Sequence, residues 1–195
     1  MLKRKINIRK VVQMLDFFAM KQGGKAMNKM KAYKLLWLAD RYHLRQYGRM
    51  ISDDTYYAMP FGIVPSITKD MLDDVYHLDD KEKAWMEQYI QAVDSLSYRS
   101  VSEPDMKVFS ISDCRVLQLI WDKFGTLSQF ELSDLSHKFP EWLRFQSVIE
   151  DKAQKNSYKV NIDDFFKNVE ETNGLFEDDA ELLALARDIY HSKML

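Results

Sequence analysis

The sequence predicts a mainly α fold, a single helical domain with a short antiparallel β-hairpin or small sheet. Three observations carry that prediction. Residues 7–22 and 29–46 repeat apolar side chains at the i, i+3, i+4, i+7 spacing of an amphipathic helix. β-branched and aromatic residues gather in one short stretch, 49–65, where Pro60, Gly62 and Pro65 prevent a long sheet. Finally, 195 residues that are 46% hydrophobic, with six Gly, four Pro and one Cys, exclude a collagen-like chain, a disordered one and a disulfide scaffold. A domain of that length buries roughly 70% of its unfolded surface, enough for a core without staples.

The elements follow in order. Ile8, Val11, Val12, Leu15, Phe18 and Ala19 form one face of the first helix, and Gly23-Gly24 stop it. Asn28 is the expected N-cap of the second, 29–46, and Gly48 its C-terminal stop. Ala32, Leu35, Leu36, Ala39, His43 and Tyr47 share a face there, with Met30, Trp37 and Leu44 beside it. Lys31, Lys34, Arg41 and Arg45 occupy the narrow stripe that remains. Residues 49–65 predict a hairpin around the Ser52-Asp53-Asp54 turn. Ser66 is expected to cap a helix reaching Leu78, and Asp79-Asp80 to open another carrying Trp85, Tyr89, Val93 and Leu96. Residues 97–106 predict a loop and Val108–Ile111 a third strand. Ser112 or Asp113 is expected to cap an apolar helix ending at Gly125, and Ser128 to start one over 129–138. The remainder, 143–195, predicts a helical extension interrupted near Tyr158–Ile162 and at Gly174.

Charge is unevenly spread. Residues 1–50 hold thirteen Lys and Arg against Asp16 and Asp40, whereas the whole chain sums to −2. Either the acidic remainder folds back on the basic start, or that start meets an acidic or phosphate-bearing partner. No run approaches the ~20 apolar residues of a membrane helix. The basic opening is followed by Gln13 and Asp16 rather than by a signal-peptide core. The expected compartment is the cytoplasm, with no membrane partner.

Two stretches carry a family resemblance. KAYKLLWLADRYHLRQYGRMISDDTYYAMPFGIVPS, residues 31–66, contains Lys34, Asp40, His43, Gly48, Tyr57, Pro60 and Gly62 at characteristic positions. FSISDCRVLQLIWDKFGTLSQFELSDLSHKFPEW, residues 109–142, adds Ser133, His137 and Trp142. Together they resemble the Panacea domain, the SocA-like antitoxin family. Ile63 stands where the family usually has Pro, and Glu141 separates Pro140 from Trp142. The resemblance implies a non-enzymatic bacterial or phage antitoxin spanning 1–195 as one domain. Such a protein binds and neutralises a toxin encoded beside it, and one family type instead delivers its toxin to a protease. No cofactor and no metal are implied.

Other patterns are weaker. Each His follows an Asp by three residues (Asp40/His43, Asp74/His77, Asp134/His137, Asp188/His191), which predicts local helical pairs rather than a metal set lacking further inward carboxylates. Ser66 and Lys69 form a Ser-x-x-Lys pattern without companion elements, and Cys114 sits in an apolar helix, so neither marks a nucleophile. A helix–turn–helix unit at 113–138 presents Gln129, Glu131 and Asp134, the wrong charge for a DNA groove. The basic stripe of helix 29–46, joined by Lys3, Arg4, Lys5, Arg9 and Lys10, is the better phosphate contact and keeps a nucleic-acid-binding regulator as the alternative. Asp40, His43, Tyr57 and His137 are expected to form a polar cluster joining the two stretches. Arg41, Arg45, Arg49, Tyr56 and Phe61 are the expected partner-facing residues, because Arg and aromatics anchor interfaces.

Overall fold

The computed structural model describes residues 6–151 and 156–192; Lys3, Arg4 and Lys5 of the basic stripe lie outside them. The architecture is mainly α with two small three-stranded antiparallel sheets. Helix α1 (Ile8–Lys21) is capped by Asn7, whose side chain accepts from Lys10 N. A two-residue strand β1 (Met27–Asn28) leads into α2 (Lys29–Tyr47). Asn28 caps α2 by accepting from Lys31 N, and Gly48 closes it in the left-handed conformation at φ 62°. Helix α2 is the centre of the molecule: α1, α5 (Ile111–Phe124), α6 (Gln129–Ser136) and α9 (Ala180–Ser192) all pack against it. With neighbours on every side, its cationic stripe is buried too.

The hairpin differs from the expected one. Strands β2 (Tyr56–Met59) and β3 (Gly62–Pro65) pair in the register Met59↔Gly62, so the turn is Pro60-Phe61 and not the Asp-rich segment. That segment instead wraps α2, because two buried carboxylates collect its polar groups. Asp40 takes the backbone of Ile51 and Ser52, while Asp54 accepts from Ile67 N, Thr68 N and the Thr68 hydroxyl. Asp54 therefore satisfies the start of α3 (Ser66–Leu72), and Ser66 is its first residue rather than its cap. The helix ends at Leu72, short of the expected Leu78.

Helix α4 (Asp80–Met86) has the expected Asp79 cap, closed into a capping box by Glu82. Beyond it, the expected helix through Val93 and Leu96 and the start of the expected loop form a second hairpin, β4 (Ile90–Asp94) with β5 (Ser97–Ser100). The 4- and 3-residue spacing there was misleading: Val93 and Leu96 are exposed, while Ile90 and Tyr98 reach the core. Strand β5 also pairs with β1. The stretch before α5 is a 3₁₀ turn, Met106–Val108, not a strand. Ser110 caps α5 through a capping box with Asp113, two or three residues before the expected cap at Ser112 or Asp113. Ser128 caps α6 as expected.

Past α7 (Pro140–Leu143), the α-helices among the described residues of the extension are α8 (Gln146–Glu150) and α9. Strand β6 (Tyr158–Lys159) supplies the third strand on the outer edge of β2. Two 3₁₀ turns follow, Ile162–Phe166 and Glu170–Thr172. There is a physical reason for this irregular backbone. Arg41 and Arg45 take the carbonyls of Phe165, Lys167 and Phe176, which a regular helix would spend on itself.

Asp16 lies fully buried on α1, and burial raises its carboxyl to about 6, with Ser100 of β5 opposing in smaller part. A folded-state value above the unfolded one makes the contribution complete below the unfolded value and lost as pH rises through about 6. Asp16→Asn is therefore expected to gain about 2 kcal/mol over the parent at pH 7.5, a difference that vanishes near pH 4. Urea unfolding across that range measures it; equal pH slopes for the two proteins would refute it.

Candidate functional site

The tip of the β2–β3 hairpin is where signature residues converge. Three buried or nearly buried donors from three helices hold alternate carbonyls of the hairpin. Trp142 Nε1 of α7 donates to Met59 O at 2.9 Å, Ser133 Oγ of α6 to Phe61 O at 3.0 Å, and Lys34 Nζ of α2 to Ile63 O at 2.7 Å. Lys34 is fully buried, and burial pushes its amine down to about 7. The His137 ring stacks on Trp142, centroids 4.0 Å apart and 26° from parallel. Gly62 has φ +92°, and a Cβ there would run into the Ser136 side chain. A side chain at this position is excluded twice, by backbone conformation and by space. The outcome is a turn fixed from behind, with the Phe61 ring 64% exposed at its tip.

Beside the tip lies a cleft of about 540 Å³, walled by Pro60, His137, Trp142 and Ile149, with Glu150 and Asp151 also lining it. Burial first, and then the charge of Lys34, lowers the His137 pKa, so this ring is neutral at pH 7. Phe130, one turn before Ser133 on α6, is a second exposed aromatic.

Pro60, Gly62, His137 and Trp142 thus act together, joined by Lys34 and Ser133. The expected cluster of Asp40, His43, Tyr57 and His137 is not one cluster. Asp40 binds Ile51 N, Ser52 N, the Ser52 hydroxyl and the hydroxyl of Tyr56, not of Tyr57. Tyr57 points the other way across the strand, half-buried, in register with Val64 and Lys159. His43 bonds Arg49 O at 2.8 Å and Ser112 Oγ at 3.0 Å, and lies 3.1 Å from Asp113. Burial opposes ionisation of Asp113, but hydrogen bonds from His43, Lys10, the Ser110 backbone and Arg49 outweigh it and hold the carboxyl well below the usual range. Gly48 is required by its φ and by Ile189, which a Cβ would meet at 2.6 Å.

Of the residues expected to face a partner, Arg41, Arg45 and Tyr56 are buried. Arg45 is enclosed by carbonyls and by Asp178 and Asn168 at 2.8 and 2.6 Å. Arg49 keeps 29% of its side chain accessible while bound to Asp113 at 2.6 Å. Phe61 is exposed as expected. The basic stripe is equally spent: Lys31 binds Gly125 O, and Arg41 pairs with Glu141. For α2, the charge asymmetry is therefore answered by the chain's own acceptors. The helical Asp–His reading is replaced where partners are seen, since His43 takes Asp113 and His191 takes Asp163. Asp113, Glu141 and Asp178 are missing from the sequence-derived site, and Lys34 is read there as a signature residue and a phosphate contact rather than as the buried donor to Ile63 O, although a basic helix apolar over most of its girth signals buried cations in need of acceptors. Among the described residues no group of three or more His, Cys, Asp or Glu is placed to hold a metal, and no helix is long and apolar enough to cross a membrane.

These features define a class: a mainly α domain built round a buried polar helix that fixes an aromatic hairpin tip from behind. The family model for SocA-like antitoxins, the Panacea domain, matches residues 33–143. The chain belongs to that family. The matched span contains the tip and also Lys34, Ser133, His137 and Trp142, which lie behind it. No curated protein and no solved structure matches the chain.

Proposed function

We propose that this chain is an antitoxin that acts in the cytoplasm as one domain and neutralises a toxin encoded beside it by direct protein–protein binding, with Phe61 as the anchor of the contact. The family match over residues 33–143 carries the antitoxin role. The tip geometry supports the choice of Phe61. A rigid exposed aromatic loses little conformational freedom on docking, which is how a small surface gains affinity. Occluding a toxin's working site requires shape and affinity, not a reacting group.

The test is growth of cells induced for the adjacent reading frame, with and without this protein, followed by co-purification. Arrest by the neighbour, relieved by co-expression, is the expected result. Phe61→Asp is expected to weaken binding at least a hundredfold, as loss of an interface hot spot of about 3 kcal/mol does, with its thermal midpoint unchanged. A harmless neighbour, or an unaltered affinity in Phe61→Asp, would overturn the corresponding part of the proposal.

A further inference from the structure

Strand β4 leaves one side of its sheet open. Strand β5 lies between β1 and β4, whereas β4 pairs with β5 alone among the described residues. The register shows which backbone groups are left over. Val101 N donates to Tyr89 O at 2.9 Å, and opposed residues in an antiparallel ladder alternate between bonded and non-bonded pairs. Tyr89 and Gln91 therefore turn their backbone groups to β5. Ile90 and Ala92, opposite Ser100 and Tyr98, turn theirs away from it. The other side of β5 gives the same phase: Lys29 N donates to Leu96 O, so Tyr98 spends its groups on Met27 of β1. Two N–H and two C=O groups, of Ile90 and Ala92, thus stand in a row with no hydrogen-bond partner among the described residues. The strand reads Ile-Gln-Ala-Val-Asp, without the Lys or Pro that commonly guard an open edge, and its bulge falls beyond Ala92.

A cleft of about 500 Å³ runs beside these groups. Ile90, Ala92 and Tyr98 share the inner face of the sheet, where Ile90 and Tyr98 are buried. Ala92 is exposed on that face because the cleft opens next to it. Opposite stand Met71 and Leu72 of α3 and Met86 of α4, an apolar wall of adaptable side chains. Both lysines of the lining are engaged, Lys29 with Leu72 O and Asp73, and Lys83 with Asp74 at 2.8 Å. Glu87 is the remaining charge: it acts on Lys83 electrostatically but makes no ion pair among the described residues.

We propose that β4 receives an extended segment of the protein partner as a fourth strand, hydrogen-bonded to Ile90 and Ala92, with an apolar side chain in the cleft and a basic one toward Glu87. The proposal rests on the antitoxin reading and adds a second contact to that of Phe61. Main-chain bonds supply affinity in such a contact, and the pocket for an alternate side chain supplies selectivity. A second copy of this chain fits the edge less well. Bonding Ile90 and Ala92 of each chain to the other's in antiparallel fashion sets Asp94 beside the other chain's Glu87-Gln88 end, twice over, and like charges facing across strands are destabilising.

Two measurements separate this inference from the reading beneath it, and both use Ala92→Pro. The Ala92 N–H faces away from β5, so a proline is tolerated there, while its ring and the lost donor block strand addition. In the first measurement, the full chain is titrated with the peptide acetyl-Thr-Arg-Thr-Leu-Thr-Arg-Thr-amide, and the Ile90 and Gln91 amide signals are followed by NMR. A saturable shift, at least tenfold weaker in Ala92→Pro, is expected. No saturable shift, or equal affinity in the variant, overturns the inference whether or not a toxin is found. In the second, Ala92→Pro is assayed against the co-purifying neighbour beside Phe61→Asp. Tenfold or greater weakening with an unchanged thermal midpoint supports the inference. If the proline lowers the midpoint, Ala92→Trp, which fills the cleft and keeps the backbone donor, takes its place with the same expectation. Binding lost in Phe61→Asp but equal to the parent in the folded Ala92 variant overturns the inference and leaves the antitoxin reading standing. A neighbour that does not bind at all removes the antitoxin reading, and the peptide titration still decides the edge.

Discussion

Glu141→Leu is expected to lose about 3–5 kcal/mol of stability, the range seen when one partner of a buried ion pair is removed. Glu141 and Arg41 are both fully buried, with Nε to Oε1 at 3.0 Å. Trp37 Nε1 donates to the same oxygen at 3.1 Å. The guanidinium lies between the rings of Phe139 and Phe176, 4.8 and 4.7 Å from their centroids, and reaches Lys167 O at 2.7 Å. Burial pushes Arg41 down to about 10 and Glu141 up, and their mutual attraction opposes both shifts. Without the carboxylate, a charge stays enclosed by aromatic rings and an indole N–H loses its acceptor.

The double variant Arg41→Met/Glu141→Leu distinguishes pairing from packing. With no uncompensated charge, it is expected to regain more than half of the single-variant loss. It will not regain all of it, because Trp37 Nε1 remains without a partner, at about 1–3 kcal/mol for a buried group left unsatisfied, whereas Lys167 O keeps its bond from Arg45 at 2.8 Å. Urea unfolding of the parent, both single variants and the double variant measures the cycle. A double variant as unstable as Glu141→Leu would show that the site is held by shape and not by charge.

Glu141 also shows what the sequence made legible and what it did not. The elements with local signals were readable: the Asn28 cap, the Gly48 stop, the capping residues Asp79 and Ser128, and the bounds of α1, α2 and α6. The family resemblance named Pro60, Gly62, His137 and Trp142, and these do meet. What was not legible depended on partners far along the chain. Arg41 and Glu141 are 100 residues apart, and Arg45 and Asp178 are 133 apart. Spacing along one helix cannot show that a stripe of cations is answered by the carbonyls of a later segment. In the sequence Glu141 is a break in the family's Pro-Trp pattern; in the fold it is the counter-ion of the central helix. The misplaced hairpin turn has the same cause, since Ser52 and Asp54 look like turn formers until the buried acceptor Asp40 is known.

Asp40→Ala is expected to be as damaging, losing about 4–5 kcal/mol, because it removes the acceptor of four donors, each worth about 1–3 kcal/mol when left buried and unpaired. Two are backbone N–H groups, of Ile51 and Ser52 at 2.7 and 3.0 Å, which no rotamer change can redirect. The others are the Ser52 hydroxyl and Tyr56 OH, the latter at 2.7 Å from Oδ2. Asp40→Asn separates charge from hydrogen bonding. Its carbonyl still accepts both N–H groups, while its amide faces two hydroxyls that can rotate to accept, so a loss of about 1–2 kcal/mol is expected at low pH. Burial raises the parent carboxyl to about 6, outweighing its four hydrogen bonds, so the parent loses this group's contribution as pH rises from about 4 through 6 and Asp40→Asn does not. The gap between the two therefore narrows toward pH 7.5. A gap that widens instead would mean that Asp40 is stabilised as the anion, with its hydrogen bonds outweighing burial. The hairpin that carries Phe61 begins at Tyr56, one of these four donors, so the cluster also bears on partner binding. Asp40→Asn, once folded, presents the tip unchanged and is expected to keep the parent's affinity for the toxin. Asp40→Ala is expected to lose neutralisation only in proportion to its unfolded fraction. A folded Asp40→Asn with weakened binding would instead place the Asp40 cluster in direct control of the tip.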